Sequence, residues 1–236
     1  AVLEDLLPRL ARDAGDREPW RRQIAAWHQA RANRLEAENA LQGSPMKPQR
    51  AYAEVRKSMP PNAIVALDAG LAPNIGQDRL IFAGPRSLLM SLELGGLGFS
   101  FPASLGAGFA APARPVLNIN GDGGFLFNAQ EFETAVRYGL NHVTIIMNNG
   151  SWGSEKAYQK YAFGERYVGA DTTNPRFDKY AELFGGRGFY VDKPEDVADA
   201  VRDAMDGRIP SIIEIPIDPD ELPRPARLSE VESPRH

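Results

Sequence analysis

The residues best suited to chemistry are one acid and two amides set among glycines. Gly121-Asp122-Gly123-Gly124 comes first, and twenty-four residues separate its Gly-Asp-Gly triplet from Asn148-Asn149-Gly150. Each cluster follows an apolar run and precedes a helical pattern, which puts both at the carboxyl ends of strands, where open α/β sheets hold their ligands. Glycines let a backbone approach a phosphate closely, and N–H groups at a helix start point at anions. Asp122 alone conflicts with that use, because a carboxylate repels phosphate. A divalent cation between the two removes the conflict. Magnesium takes oxygens in octahedral geometry and shares its shell between one or two protein oxygens, water and substrate phosphates. Asp122 offers a carboxylate oxygen, Asn149 an amide oxygen, and the loop after Asn149 a carbonyl. The expected occupant is a metal diphosphate.

The elements that must hold these loops alternate along the chain. Continuous apolar or β-branched runs lie at 63–69, 115–120, 143–148, 187–191 and 211–217, with helical patterns at 102–111, 128–138, 176–184 and 194–206. Unbroken apolar strands separated by helices predict a doubly wound, mainly parallel α/β sheet with helices on both faces. Residues 1–43 carry two helical patterns, a short one around Val2, Leu3, Leu6 and Leu7 and a longer, charged one from Glu18, and are read as a helical linker or the end of a preceding domain. On the longer helix Trp20, Ile24 and Trp27 recur at helical spacing and are read as packing residues. The Gly, Ser and Pro residues of 42–49 mark a boundary. The ligand-binding domain is expected over 44–218, and 219–236 as a proline-rich tail.

Composition sets further expectations. The 236 residues are 43% hydrophobic, enough for a sizeable core, and the net charge of −4 speaks against a general nucleic-acid binder. There are no cysteines, hence no disulfides, thiolate metal sites or cysteine nucleophiles. No apolar run approaches the ~18 residues of a membrane span. A soluble, cytoplasmic protein without nucleic-acid or membrane partners is expected. The chain begins without an initiator methionine, and a piece of a longer protein is expected.

The Gly-Asp-Gly and Asn-Asn clusters, so spaced, resemble the cofactor motif of the thiamine diphosphate enzymes, the group of acetolactate synthase, sulfoacetaldehyde acetyltransferase, oxalyl-CoA decarboxylase and 2-hydroxyacyl-CoA lyase. The resemblance extends over residues 60–217, the C-terminal pyrophosphate-binding domain of that family. It implies thiamine diphosphate and Mg2+ as cofactors. Asp122, the side chain of Asn149 and the backbone carbonyl of Ser151 would then ligate the metal, and Gly123, Gly124 and Gly153 would bring N–H groups to the diphosphate. The segment GGLGFSFPASLGAG resembles the part of the family that supports the bent cofactor. Leu97 would wedge between its two rings, where many relatives carry methionine, and the Gly95 carbonyl would accept from the aminopyrimidine. In the family, a glutamate on a separate pyrimidine-binding domain activates the cofactor, and nothing here resembles that domain. A partner domain or subunit, within a homo- or hetero-oligomer, is therefore expected to supply it, and the chain alone is expected to be catalytically incomplete.

Two segments point to different members. DAGLAPNIGQDRL (68–80) is similar to oxalyl-CoA decarboxylases and 2-hydroxyacyl-CoA lyases, while WGSEKAYQ (152–159) and the stretch 166–186 are closer to sulfoacetaldehyde acetyltransferase. The first points to a 2-hydroxyacyl-CoA lyase that releases a ketone or aldehyde and formyl-CoA. The second points to an acetyltransferase or acetolactate-type carboligase, and a non-catalytic cofactor-binding module is a further alternative. The substrate would be a small acyl compound or acyl-CoA. Glu155 is a candidate proton shuttle at a substrate hydroxyl; the competing reading is an ion pair with Lys156 worth roughly 0–1 kcal/mol. Lys156, Tyr158 and Gln159 are weaker candidates. Arg224 and Arg227 are candidates to cover the active site or contact an anionic substrate, set against a plain solvated tail, and Arg86 is similarly ambiguous. His28, His142 and His236 lie on unrelated elements. A nucleotide-binding Rossmann domain is the weakest reading, because GDGGFLF lacks the GxGxxG pattern.

Overall fold

The computed structural model describes residues 2–6 and 17–222. The chain divides into two compact units, residues 1–38 and 39–236. In the first, the helices are α1 (Val2–Leu6) and α2 (Glu18–Asn39). Side chains four apart support α2, with Gln29 donating to Asn33 at 2.8 Å and Arg34 pairing with Glu38 at 3.2 Å. Trp20 and Trp27 meet edge to face, ring centroids 5.6 Å apart, yet remain 57% and 55% exposed. They pack on each other, two helical turns apart, and leave most of their surface open.

The second unit contains a sheet of β1 (Ile64–Leu67), β2 (Leu88–Leu89), β3 (Val116–Gly121), β4 (His142–Asn148), β5 (Arg187–Tyr190) and β6 (Ser211–Pro216). All neighbours are parallel, in the order β2-β1-β3-β4-β6-β5. The winding runs outward from β1 to β2, then reverses and proceeds through β3 and β4. The reversal lies between β1 and β3. There the loops leaving adjacent strands turn to opposite sides and open a crevice.

The helices of this unit are α3 (Pro48–Ser58), α4 (Leu71–Arg79), α5 (Ser100–Ala110), α6 (Asp122–Leu126), α7 (Phe132–Arg137), α8 (Gly153–Ala162), α9 (Phe177–Leu183) and α10 (Pro194–Asp206). Local sequence explains their ends. α10 starts on Pro194, with Glu195 and Asp196 in its first turn, and α3 starts on Pro48 and ends on Arg56 and Lys57. These charges oppose the helix dipole at each terminus. Val197, Val201 and Ala204 form the buried stripe of α10. With Ala51 and Val55 of α3 they cover one sheet face, meeting Leu117, Ile119, Val143, Ile145 and Ile213. The other face packs against α5, α6, α7 and α9 through Phe101, Phe125, Phe132 and Phe177.

The proline-containing stretch before α3 is tied to the far end of this unit. Met46 bridges to Ile217, and Lys47 reaches Asp218 at 2.7 Å and Glu221 at 2.9 Å. Those two acids push the Lys47 ammonium up to about 12. Arg224, Arg227 and His236 lie outside the described residues. Among the described residues, no helix is long and apolar enough to cross a membrane.

Candidate functional site

Loops from the carboxyl ends of β1, β3 and β4 surround one cavity of about 270 Å³. Its wall includes Asp122, Asn149 and Ser151, the glycines 123, 124 and 153, and also Gly95, Leu97 and Glu155. Residues that sequence reasoning assigned to one site thus meet in one place, at the switch point of the sheet. Ala69 and Gly70 of the loop from β1 into α4, the opening residues of α4, Leu71 to Pro73, and Trp152 also line it.

Asp122 follows β3 directly and opens α6, and it is only 1% exposed. Burial pushes its carboxyl above the usual carboxylate range, against hydrogen bonds from Asn174 and Thr172 that favour the charge. Thr172 Oγ1 donates to Asp122 Oδ2 at 3.0 Å, and Asn174 Nδ2 donates to the same oxygen at 2.6 Å. Both partners are neutral. A buried carboxylate without a cationic partner is costly, and a cation in the cavity offsets that cost.

Asn149 accepts from the Ser151 N–H through Oδ1 at 3.2 Å, which folds the loop into a tight turn. Gly150 at its centre has φ 63°, a conformation that suits glycine. A Cβ on Gly153 would stand 3.0 Å from the Asn149 amide, so the start of α8 packs directly against that side chain. The first turn of α8, Gly153 to Glu155, lines the cavity. Ser151 Oγ is buried without a hydrogen-bond partner in the site.

The glycines after Asp122 are required by close approach. A Cβ on Gly123 would come within 2.5 Å of the Trp152 ring, and one on Gly124 would collide with the Asp68 carboxylate. Asp68, at the end of β1, also accepts from Gly98 N at 3.0 Å and Ser100 N at 3.3 Å. Burial pushes the Asp68 carboxyl up, while N–H groups of Gly98, Ser100, Ala69 and Phe99 oppose the shift. Asp68 thereby fixes the turn that follows Leu97 beside the loop of Gly124. Asn128 Nδ2 donates to Gly98 O at 2.8 Å and reinforces the same turn.

The remaining candidates divide. Glu155 is exposed on the cavity wall, and Lys156 pairs with Asp171 at 2.9 Å. Gln159 clamps the backbone of Val168 by donating to its carbonyl at 3.1 Å and accepting from its N–H at 2.7 Å. Arg86 precedes β2, at the amino edge of the sheet, opposite the cavity. His142 is fully buried at the start of β4, its Nε2 2.6 Å from Ser104 Oγ. Sequence reasoning missed Asp68, Thr172 and Asn174 as parts of the site. No pattern along the chain marks them, because each acts on a loop 30 to 52 residues away.

The site suits a metal diphosphate on three independent grounds: a buried carboxylate held by neutral donors, an unpartnered buried hydroxyl, and backbone kept bare by glycines. Among the described residues no group of three or more His, Cys, Asp or Glu side chains forms. One acid with neutral oxygens around it matches a cation that takes much of its shell from phosphate and water. A parallel sheet with such a pocket at its switch point defines a diphosphate-cofactor-binding α/β domain.

Residues 68–215 match the family described as thiamine pyrophosphate enzyme, C-terminal TPP binding domain, and the chain belongs to that family. It is 29% identical to the sulfoacetaldehyde acetyltransferase of Castellaniella defragrans over 94% of its own length and 40% of that protein. It is 30% identical to the probable acetolactate synthase large subunit of Methanocaldococcus jannaschii over 99% of its length and 41% of that protein. The fold is similar to the thiamine diphosphate-dependent 4-hydroxybenzoylformate decarboxylase of Rhodococcus jostii RHA1, with a TM-score of 0.72 and 29% identity over 77% of this chain and 34% of the other. The chain thus spans about two fifths of the length of these curated relatives.

Proposed function

We propose that this chain is the diphosphate-binding part of a thiamine diphosphate- and Mg2+-dependent enzyme that cleaves or forms a C–C bond next to a carbonyl. The observation that carries the proposal is the convergence of Asp122, Asn149 and Ser151 with bare glycine backbone in one switch-point cavity. When bound, the cofactor supplies a carbon nucleophile and an electron sink for the bond that breaks. The chain's own residues bind and orient. Asp122, the Asn149 side chain and the Ser151 carbonyl hold the cation, and the N–H groups of Gly123, Gly124 and Gly153 meet the diphosphate. Leu97 and Gly95, on the same wall, would support the cofactor, Leu97 by its side chain and Gly95 by its carbonyl, which would accept from the aminopyrimidine. Glu155, on the same wall, moves a proton at the substrate hydroxyl.

A pyrimidine-binding domain, from the preceding chain or a partner subunit, supplies the activating glutamate in this reading. The first 43 residues are then the helical end of a preceding domain or a linker, and the whole assembly is cytoplasmic and oligomeric. Turnover by residues 1–236 alone would overturn the need for that partner. Within the complete enzyme, Glu155→Gln is expected to lower turnover by about 100-fold or more while cofactor affinity stays nearly constant. Unchanged turnover rejects the role of Glu155.

The finer reading is a 2-hydroxyacyl-CoA lyase. It is supported by the likeness of segment 68–80, whose first residues line the cavity. A second reading, an acetyltransferase or acetolactate-type carboligase, is favoured by the likeness to such proteins along nearly the whole chain. Product analysis separates them: formyl-CoA supports the lyase, and acetyl phosphate or acetolactate supports the second reading.

A further inference from the structure

The segment Ala170 to Asn174 touches both loops of the cavity at once. Its backbone pairs with the loop after β4, where Trp152 N donates to Ala170 O at 2.7 Å and Thr172 N donates to Gly150 O at 2.9 Å. Its side chains reach the loop after β3, through the two bonds from Thr172 and Asn174 to Asp122 Oδ2. The Asn174 amide also donates to Asn148 Oδ1 at 2.9 Å, and that oxygen accepts from Gly150 N at 3.1 Å. A continuous path therefore runs from Asp122 through Asn174 and Asn148 to the turn that carries Asn149.

The path has a fixed far end. Glu214 on β6 is buried; its Oε1 accepts from Asn148 Nδ2 at 2.8 Å and its Oε2 accepts from Phe177 N at 2.8 Å. One carboxylate thus anchors both the end of β4 and the start of α9, the two supports between which Asn174 lies. The sheet itself sets only the strand ends in register, Gly121 beside Met147. Beyond those ends the loops belong to different strands; the Trp152 ring packs on Gly123, and the side chains of 172 and 174 add hydrogen bonds that join the two loops.

We infer that Thr172 and Asn174 are positioning residues, which hold the Asp122 carboxylate and the Asn149 turn in the register a shared cation requires. The inference rests on the cofactor reading of the same cavity. Partners that orient a metal ligand typically account for about 10- to 100-fold in metal affinity. Asn174 must present its NH2 group to two oxygens, so a carboxylate in its place would set three acceptors together. Thr172 needs only its hydroxyl.

The test uses the 236-residue chain and four variants: Thr172→Val, Thr172→Ser, Asn174→Ala and Asn174→Asp. Amide hydrogen exchange is measured at residues 122–124 and 149–153 without ligand, and Mn2+ uptake with inorganic pyrophosphate is followed by electron paramagnetic resonance. Faster exchange is expected at both loops in Thr172→Val and Asn174→Ala, with roughly 10-fold weaker Mn2+ uptake or more. Asn174→Asp should exceed Asn174→Ala in exchange, and Thr172→Ser should restore both readouts. Unchanged exchange at either loop overturns the inference, as does a serine variant as impaired as the valine one. If the unsubstituted chain takes up no Mn2+ with pyrophosphate, the cofactor reading fails, and the exchange data still decide whether these side chains hold the loops. Should Asn174→Asp not fold, the valine and serine pair at Thr172 decides alone.

Discussion

The two faces of the sheet are built from alternate residues of the same strands, yet they differ in kind. Toward α3 and α10, the strands present Val65, Leu67, Leu117, Ile119, Val143, Ile145 and Ile213, an apolar surface throughout. Toward α5 and α9 they present Asn118, Asn120, His142, Thr144 and Glu214, all buried, among Ile146 and Ile212. Burial on the first face needs volume and apolar character, which many side chains supply. Burial on the second is costly for each polar atom without a partner in the right direction, and it leaves Asn118 Oδ1 and Asn120 Nδ2 without one. Ser104 meets His142 at 2.6 Å, Ser100 donates to Asn120 at 2.8 Å, and Glu214 holds Asn148. The apolar face stabilises the sheet; the polar face continues past the strand ends into the cavity. Asp68 and Asp122, which shape that cavity, extend it.

If that division is right, changes on the two faces should separate binding from stability. The largest effect is expected from Asp122→Asn. The amide oxygen still accepts from Thr172 and Asn174, but the charge that a cation needs is gone. Calorimetry should show uptake of Mg2+ with thiamine diphosphate reduced by more than the about 10- to 100-fold that partners orienting a metal ligand account for. Without metal, the same variant should melt at a higher temperature, because the folded state no longer buries an unpaired carboxylate. Undiminished uptake would remove Asp122 from the metal site. A lower melting temperature would show that its charge stabilises the unliganded fold.

Next in size is Ile145→Ala, in the centre of the apolar face and fully buried. Truncation there should cost roughly 2–5 kcal/mol in denaturant unfolding. Cofactor affinity, measured well below the melting temperature, should stay within about twofold, since no polar path of the cavity includes this side chain. A parallel fall in affinity and stability would show that the two faces do not act separately.

The same contrast explains what could be read from the sequence. Apolar periodicity locates the strands of the stable face: the run 143–148 becomes β4, His142–Asn148, and the pattern 194–206 becomes α10, Pro194–Asp206. It fails for β2, which is two residues long, and for α3, whose opening Pro48 lies inside a stretch read as a boundary. α4 was hidden by glycine and proline within Leu71–Arg79. The motif residues Asp122, Asn149 and Ser151 were legible because glycines mark their loops, and the structure brings them to one cavity. Thr172 and Asn174 were not, because a threonine and an asparagine in an irregular segment carry no periodic signal. Their contact with Asp122 arises only when the chain between β4 and α9 folds back. Arg86, left open between an anion contact and a solvated charge, lies by the parallel register at the amino edge of the sheet, away from the cavity.

The smallest effect should come from acid and tests the polar face directly. Burial holds the His142 imidazole down at about 3, against an ordinary value of 6.5. Below 6.5 the unfolded chain takes up this proton and the folded chain does not, so stability is complete above that value and is lost as pH falls toward about 3. From about pH 7 to about pH 5 the loss should be about 2 kcal/mol, read by urea unfolding across pH. Asp68 and Asp122 act with the opposite sign. Their carboxyls are raised in the folded state, so the fold binds their protons more readily than the unfolded chain and gains stability as pH falls. The net profile therefore mixes the two, and a difference isolates the histidine. Replacing both His142 and its closest partner, Ser104→Ala with His142→Leu, removes the imidazole and leaves the Thr144 hydroxyl, 3.5 Å from Nδ1, to accept from Asn118 Nδ2 at 3.4 Å. The profile of that variant should lose its decline below 6.5 and keep the opposing contribution of the acids. If the decline persists unchanged, the acid sensitivity belongs to other groups, and the polar face tolerates a charge at the start of β4.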